Sequence, residues 1–487
     1  MKFEAVIGLE VHVQLNTNTK IFCSCSTRYS GNEPNTSVCE ICSGQPGVLP
    51  VLNEEVLKRA VKTGLALNCA IAKRTKFDRK NYFYPDLPKG YQVSQFDMPI
   101  CEKGYIAVID AAAAGAKQEK KIGITRIHME EDAGKNVHGA DGKNSFVDYN
   151  RAGVPLLEIV SEPDLRSAAE AKEYLEKLKT ILKYIDVSDC NMEDGSLRCD
   201  ANVSVRPGGE TKLGTKVEIK NMNSFRGVQK AIEYEIERQS KVCESGSRII
   251  QETRLYDEAR GVTLSMRKKE EAFDYRYFPE PDLPPYDVAA KDIEAIRAAL
   301  PELPDAKFAR YTGEMQLSEY DASLISNNPS LAAFFDECAK NYTNYKAITN
   351  WLLGDISKKM NELAISDIFA AKIRPAHLLD MLKLIDDQTI SGKIAKTVID
   401  EIFNTGEKVE KIIERLGLVQ ITDNSFILKV IGEVLTENPK SVSDFISGKE
   451  AAVGFLVGQI MKKTKGKANP GIVNQTLKGE LAKLKNA

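Results

Sequence analysis

Four stretches of the chain alternate strictly between apolar and polar residues, and in each the polar side carries charge. Glu10, His12 and Gln14 share one side of a run whose other side is Leu9, Val11 and Val13, and Arg126, His128 and Glu130 oppose Ile127 and Met129. Arg198, Asp200, Asn202, Ser204 and Arg206 oppose Cys199, Ala201, Val203 and Val205, while Lys216, Glu218 and Lys220 oppose Val217 and Ile219. A two-residue period puts successive side chains on opposite faces of a strand, so the pattern predicts an antiparallel sheet with one apolar and one wholly polar face. A plain sheet with a solvated side gives the same alternation. Solvated faces are usually Lys, Thr and Glu, however, and here carboxylates recur with Arg and with two of the chain's four histidines.

A helical period is clear once before residue 290. Ser167-Ala168-Ala169-Glu170 has the form of a capping box, and Ala171, Tyr174, Leu175, Leu178, Leu182 and Ile185 follow at three- and four-residue spacing, so this helix should lay its apolar face on a sheet. Phe278 to Pro285 holds four prolines in eight residues, which no helix or central strand accepts, and ends the β-rich unit near 290. From there to about 410 the chain reads as amphipathic helix, for example Ile348 to Leu363 around Trp351, the only tryptophan, and Ala376 to Ile385. The expected fold class is α+β: a sheet domain over 1–290, an all-helical domain over 291–410 and a small helical tail over 411–487. No repeat of 20 to 50 residues is present, which excludes a solenoid.

Length and charge narrow the partners. The chain has 487 residues, 43% hydrophobic and 28% charged, enough for a sizeable core and far from the composition of disorder. Lys plus Arg number 67 against 69 acids, so the whole chain is no polycation and any RNA contact must be local. The local exception is residues 461–487, with seven Lys and one acid. By charge alone this is either a solvated terminus or a phosphate-binding surface. The start of the chain has no basic-then-apolar leader, and the apolar stretch Ala451–Ile460 is far shorter than the ~20 residues of a membrane span, so a soluble, cytoplasmic protein is expected.

Ten cysteines are too dilute for a disulfide scaffold, but Cys23-Ser24-Cys25 and Cys39-Glu40-Ile41-Cys42 lie thirteen residues apart. Two close pairs of thiolates can converge on one tetrahedral ion, and an all-sulfur set fits structural zinc; free thiols or a redox pair are the alternatives. The other six cysteines are scattered and serve as small apolar fillers. On the polar strand faces, carboxylates supply the hard oxygens that Mg²⁺ prefers and the interleaved cations suit triphosphate oxygens, so the sheet is a candidate floor for Mg-ATP. Phe77 to Gln92 packs tyrosines, prolines and cations into a segment expected to be an irregular loop lining a cleft, and Asp148 to Pro155 is a polar turn leading into an apolar strand. The sequence has no phosphate-binding Gly-x4-Gly-Lys loop, no dinucleotide Gly-x-Gly-x-x-Gly after a strand, and no serine-hydrolase elbow or amidase signature. If the reaction uses ammonia, another chain must release it.

Ile7-Gly8-Leu9-Glu10-Val11-His12-Val13-Gln14-Leu15, Tyr82 to Gln92, His128 to Lys135, Asp148 to Leu157, Met192 to Asn202 and Glu218 to Ser224 together resemble the B subunit of the bacterial aspartyl/glutamyl-tRNA(Asn/Gln) amidotransferase. The resemblance runs over essentially the whole chain. It implies a glutamine-synthetase-like antiparallel cradle, a helical domain and a tail, working in a heterotrimer with an amidase A subunit and a small C subunit. It also implies binding of mischarged Glu-tRNA(Gln) or Asp-tRNA(Asn), phosphorylation of the side-chain carboxylate by Mg-ATP, and displacement of phosphate by ammonia. On this basis Glu10, His12 and Glu130 form the first Mg²⁺ cluster and, with Lys80, the catalytic set; Asp194, Asp200 and Glu218 are further metal candidates. Arg198, Arg206 and Lys80 are the expected phosphate-binding cations. Imidazole is not a hard ligand, which makes His12 the least natural of these Mg²⁺ contacts. Cys23, Cys25, Cys39 and Cys42 match the zinc-binding form found in part of the family, and the tail, with Lys465, Lys467, Asn469 and Asn474, is the expected reader of the tRNA body. An RNA-binding scaffold without chemistry and a free-standing ligase for a small molecule are the competing readings.

Overall fold

The computed structural model describes residues 3–110, 118–139, 142–268, 275–418, 424–464 and 468–486. The chain forms two compact units, Met1–Pro304 and Asp305–Ala487. The first is built on nine strands: β1 Phe3–Gln14, β2 Ala70–Ile71, β3 Cys101–Asp110, β4 Gln118–Glu131, β5 Pro155–Ser161, β6 Leu197–Pro207, β7 Val217–Lys220, β8 Glu252–Asp257 and β9 Val262–Lys268. Their order across the sheet is β9-β8-β7-β6-β1-β5-β4-β3-β2, which puts the first strand of the chain at the centre.

Every neighbour is antiparallel except β7 and β8. The sheet is therefore mixed, not wholly antiparallel as the alternation predicts. Between those two strands the chain forms the helix Phe225–Glu244, and a helical crossover returns it in the same direction, as a parallel pair requires. That helix, Glu54–Ala66 and the foreseen Ala168–Tyr184 cover the apolar face. Leu9, Val11 and Val13 of β1 join Tyr174, Leu175, Leu178, Val228 and Ile232 in one continuous core. Ser167 caps its helix by accepting from the Glu170 amide at 3.1 Å, but the Glu170 carboxylate reaches the Arg166 amide at 2.9 Å, one residue further back than a capping box places it.

With helices on one side, the polar face of the sheet is left for a second layer. Phe77–Gln92 supplies part of it, with more regular structure than its composition predicts: Asp78–Asn81 and Tyr91–Ser94 pair as a hairpin, and Phe278–Pro279 joins the same small sheet. The proline run does not end the packing of this unit, because Ile293, Ile296, Leu300 and Leu303 still lie against the main core. The unit extends to Pro304.

The second unit is helical in its described residues. The expected helix around Trp351 is present as Tyr345–Trp351 and Ser357–Glu362 joined by a π-helical turn, Leu352–Ile356, where the Ser357 hydroxyl donates to the Leu352 carbonyl at 2.7 Å. Gly406 and Gly417 stop their helices at φ 74° and 58°, values that favour glycine. Helices Asn424–Glu437, Pro439–Ile446, Ala451–Lys463 and Pro470–Asn486 follow, with a core of their own around Ile427, Ile431, Leu456, Ile460, Val473 and Leu477. No described helix is long and apolar enough to cross a membrane.

Candidate functional site

Strand register brings the charged residues of the polar face together. His12 on β1 lies opposite Arg198 on β6 and Glu158 on β5, and Glu158 in turn lies opposite His128 on β4. Arg198, His12, Glu158 and His128 thus form a row across four strands. Glu10 lies opposite Asp200 in the next row, where the Lys220 ammonium donates to Asp200 at 2.6 Å. Glu130 lies two residues beyond His128, on the same face of β4.

The side chains converge on Glu158. Its carboxylate is 3.0 Å from His128 Nε2 and 3.5 Å from His12 Nε2, and His12 Nε2 is 3.6 Å from Glu130. Oxygen and ring-nitrogen atoms of Glu10, His12 and Glu158 lie within 4.8 Å of one another, as do those of His128, Glu130 and Glu158. Glu130, Glu158 and His128 are buried. Loss of solvent and the charge of Glu158 push the Glu10 carboxyl up to about 7. Burial opposes a charge on His12, but its hydrogen bond to Glu158 and the surrounding carboxylates outweigh this and raise it to about 9. His128 rises to about 9 for the same reasons, against the same burial. Glu158, also desolvated, is held well below the carboxylate range by the two imidazoles. The arrangement is an anionic centre clamped between two imidazolium groups, with one further carboxyl, Glu10, that ionises at a cost in the absence of another cation.

Neighbouring polar contacts fix this centre in place. Asp132, just past β4, accepts from Arg198 Nη2 at 3.0 Å and Gln14 Nε2 at 2.8 Å. Glu131 accepts from the Val93 amide at 2.8 Å and pairs with Lys89, pinning the hairpin over the sheet. Lys80 reaches in from that hairpin under an aromatic wall: its ammonium is 5.1 Å from the Tyr275 ring centre and 5.9 Å from that of Tyr82. Desolvation disfavours its charge, yet Glu130, with help from Glu158, raises its pKa.

Of the residues that the sequence singles out, Glu10, His12, Glu130 and Arg198 meet here, with Asp200 beside Glu10 and Lys80 above. Glu218 stands one row further along, opposite Asn202, where Thr253 donates to it at 2.8 Å. Two candidates lie elsewhere. Asp194 is an exposed turn residue that accepts from the Asn191 side-chain amide. Arg206 pairs with Glu4 at 2.7 Å, eight residues along β6 from Arg198 and on the order of 25 Å away at strand rise. Arg206 is thus too far along the strand to share a phosphate or metal with Glu10, and Asp194 is not among the side chains that cluster around Glu158. Sequence reasoning missed Glu158, and its signal was present: it is the single charge in the otherwise apolar run Pro155–Val160.

The four cysteines also converge. Their sulfurs lie within 4.8 Å of one another, with Cys39 Sγ and Cys42 Sγ 3.9 Å apart. Four bonds of 2.3 Å to a tetrahedral zinc require about 3.8 Å between sulfurs. Within the set the Cys23 thiol, the Cys39 amide at 3.2 Å and the Lys20 ammonium favour the Cys42 thiolate, and the spacing of the four sulfurs fits a tetrahedral ion such as zinc.

In the tail, Lys465 and Lys467 lie outside the described residues. Asn469 is buried and engaged: its Oδ1 caps Pro470–Asn486 by accepting from the Gly471 amide at 2.9 Å, and its Nδ2 donates to Gln388 at 3.0 Å. Both ends of its side-chain amide are engaged in holding the fold. Asn474 is exposed on the same helix.

Comparison with known proteins gives this geometry a family. A family model described as the GatB/GatE catalytic domain matches residues 5–294, and one described as the GatB domain matches residues 333–481. The B subunit of the aspartyl/glutamyl-tRNA(Asn/Gln) amidotransferase from Carboxydothermus hydrogenoformans is 57% identical over 487 residues, covering 99% of this chain and 100% of its own length. Proteins of the same description from Thermoanaerobacter pseudethanolicus and Brevibacillus brevis are 58% and 54% identical, each over 485 residues, with the same coverage. The first domain model spans nearly all of the polar sheet and its supports, the second most of the helical unit, and the identities cover 99% of the chain: the chain belongs to the family of aspartyl/glutamyl-tRNA(Asn/Gln) amidotransferase B subunits.

Proposed function

We propose that this chain is the ATP-dependent amidating subunit of an aminoacyl-tRNA amidotransferase, converting Glu-tRNA(Gln), Asp-tRNA(Asn) or both into Gln-tRNA(Gln) and Asn-tRNA(Asn). The observation behind this reading is the convergence of Glu10, Glu130 and Glu158 with two imidazoles on a sheet face that also carries Arg198 and is roofed by Lys80. A carboxylate is a poor acyl donor; phosphorylated by ATP, it gains a leaving group that ammonia displaces readily. Glu10, Glu130 and Glu158, with Asp200 behind them, are the oxygen donors that would hold Mg²⁺, and burial together with the charge of Glu158 makes the ionised form of Glu10 costly, a cost that a cation there would relieve. When bound, that ion neutralises phosphate charge.

The chain's own residues do the rest. His12 lies 3.5 Å from Glu158 and 3.6 Å from Glu130, whose charges favour its protonated form, so when no ion is bound its part is to hold the two carboxylates in place, while its ring nitrogen stays within reach of an ion shared with Glu10 and Glu158. Lys80 and Arg198 supply the cations for phosphate oxygens, with the aromatic wall excluding water around Lys80. The amide nitrogen must come as ammonia from another chain, which fits a heterotrimer with an amidase A subunit and a small C subunit, in the cytoplasm where tRNA is charged. In this arrangement the β-rich part is a glutamine-synthetase-like cradle, 291–410 is a helical domain, and the tail 411–487 binds tRNA.

The reading is tested by trapping the activated acyl group. The heterotrimer, given Glu-tRNA(Gln), ATP and Mg²⁺ with hydroxylamine in place of an ammonia source, is expected to yield glutamyl hydroxamate on the tRNA in proportion to ADP released. ATP hydrolysis without hydroxamate, for both glutamyl and aspartyl substrates, would overturn it.

A further inference from the structure

Lys20 is the largest contradiction to ordinary burial rules in the first unit. Its side chain has no exposed surface, and among the described residues no carboxylate lies within ion-pairing distance of it. A buried ammonium without an anion costs several kcal/mol. Its two contacts are the Ser37 carbonyl at 2.8 Å and Cys42 Sγ at 3.6 Å. Gly153, at φ +82°, presses its backbone on both residues: a Cβ there would stand 3.3 Å from that of Cys42 and 3.5 Å from Lys20 Cδ. The ammonium is thus sealed in against a sulfur that is itself one corner of the four-cysteine set.

Four thiolates around Zn²⁺ carry a net charge of about −2, and the sulfur that faces Lys20 belongs to Cys42, the buried member of the set. We propose that Lys20 is the counter-ion of a tetrathiolate zinc centre, and that through it the centre braces the turn that holds Asp132. The inference rests on the zinc reading of the four cysteines and not on the amidation chemistry. The brace can be followed bond by bond. Lys20 donates to the Ser37 carbonyl, and the Ser37 amide donates to Asn150 Oδ1 at 2.7 Å. Next to Lys20, the Ile21 amide donates to the Gly153 carbonyl at 3.0 Å, and the Gly153 amide donates to the Asp132 carbonyl at 2.9 Å. Asp132 is the residue that orients Arg198 and Gln14. Lys20 is therefore a positioning residue: it touches no substrate, and its effect on Arg198 passes through the metal centre and the turn 150–153.

The test uses the intact heterotrimer carrying Lys20→Met or Lys20→Gln, with zinc content measured by mass spectrometry and the rate of zinc loss measured in excess chelator. Wild type is expected to hold one zinc per chain, and both neutral variants to lose it about ten-fold faster or more, with Lys20→Arg intermediate. Glutamine keeps a donor for the Ser37 carbonyl and is close in size, so it reports on the charge even where methionine fails to fold. Zinc retention in folded Lys20→Gln equal to wild type would overturn the counter-ion role. A wild type that binds no zinc would overturn the zinc reading beneath it, whatever the outcome for hydroxamate trapping.

Discussion

Glu158→Gln is expected to lower amidation by about two orders of magnitude while leaving tRNA affinity within about a factor of two. Glutamine has nearly the same volume and retains an oxygen for one imidazole, so the sheet should fold as before. What it loses is the charge at the centre of the row. Both His12 and His128 owe much of their raised ionisation to Glu158, acting against burial. With a neutral residue between them, burial is less opposed and both imidazoles shift toward the neutral form at pH 7. The pairing that holds Glu130 then weakens, and a metal ion at this site loses one of three carboxylate donors. Steady-state amidation with saturating ammonium chloride, together with filter binding of the tRNA, separates the two effects. A rate within about threefold of wild type would remove Glu158 from the chemistry.

The second large effect is expected in the tail. A chain ending at Leu418 should bind tRNA at least about ten-fold more weakly, with a smaller dependence on salt, while ATP hydrolysis by the heterotrimer persists. The cut is placed there because Val409, Ile412 and Ile413 are buried, so helix Val409–Leu416 belongs with the helices before it; a cut at 410 would open their core. The helices from Asn424 onward enclose their own apolar centre, so removing them as a block costs the rest the Asn469–Gln388 hydrogen bond without cutting through a core. They take with them residues 461–487, whose seven Lys against one acid form the most basic segment of the chain. Unchanged tRNA affinity would remove the tail from recognition.

How far the sequence reaches is seen by comparing Glu10 with Arg206. Alternation correctly puts both on the polar face, because a period of two fixes the side of a strand whatever its partners. It does not fix position along the strand or the register between strands, and these decide that Glu10 meets Glu158 while Arg206 meets Glu4. Glu158 escaped for the opposite reason. Its strand is buried along nearly its whole length on both faces, so it shows no alternation to read, and the lone acid in an apolar run was the only sign. The parallel junction between β7 and β8 depended on a helix, Phe225–Glu244, whose apolar stripe is interrupted by Glu235 and Gln239, both buried. The cysteine pairs were legible because their spacing alone brings four sulfurs together. Lys20 was not, since a lysine a few residues from a cysteine pair looks in sequence like any surface lysine.

Whether the polar sheet performs the activation and transfer is decided by comparing wild type, Glu10→Gln and Arg206→Ala in the heterotrimer. Each receives Glu-tRNA(Gln), Mg-ATP and ammonium chloride, and Gln-tRNA is measured; ammonium bypasses the amidase, so the readout reports on the polar sheet itself. Product is expected from wild type and Arg206→Ala at similar rates and little from Glu10→Gln, with tRNA binding intact in all three. Full activity in Glu10→Gln, or loss of activity in Arg206→Ala with Glu10→Gln unaffected, would contradict the assignment of the chemistry to the cluster around Glu158.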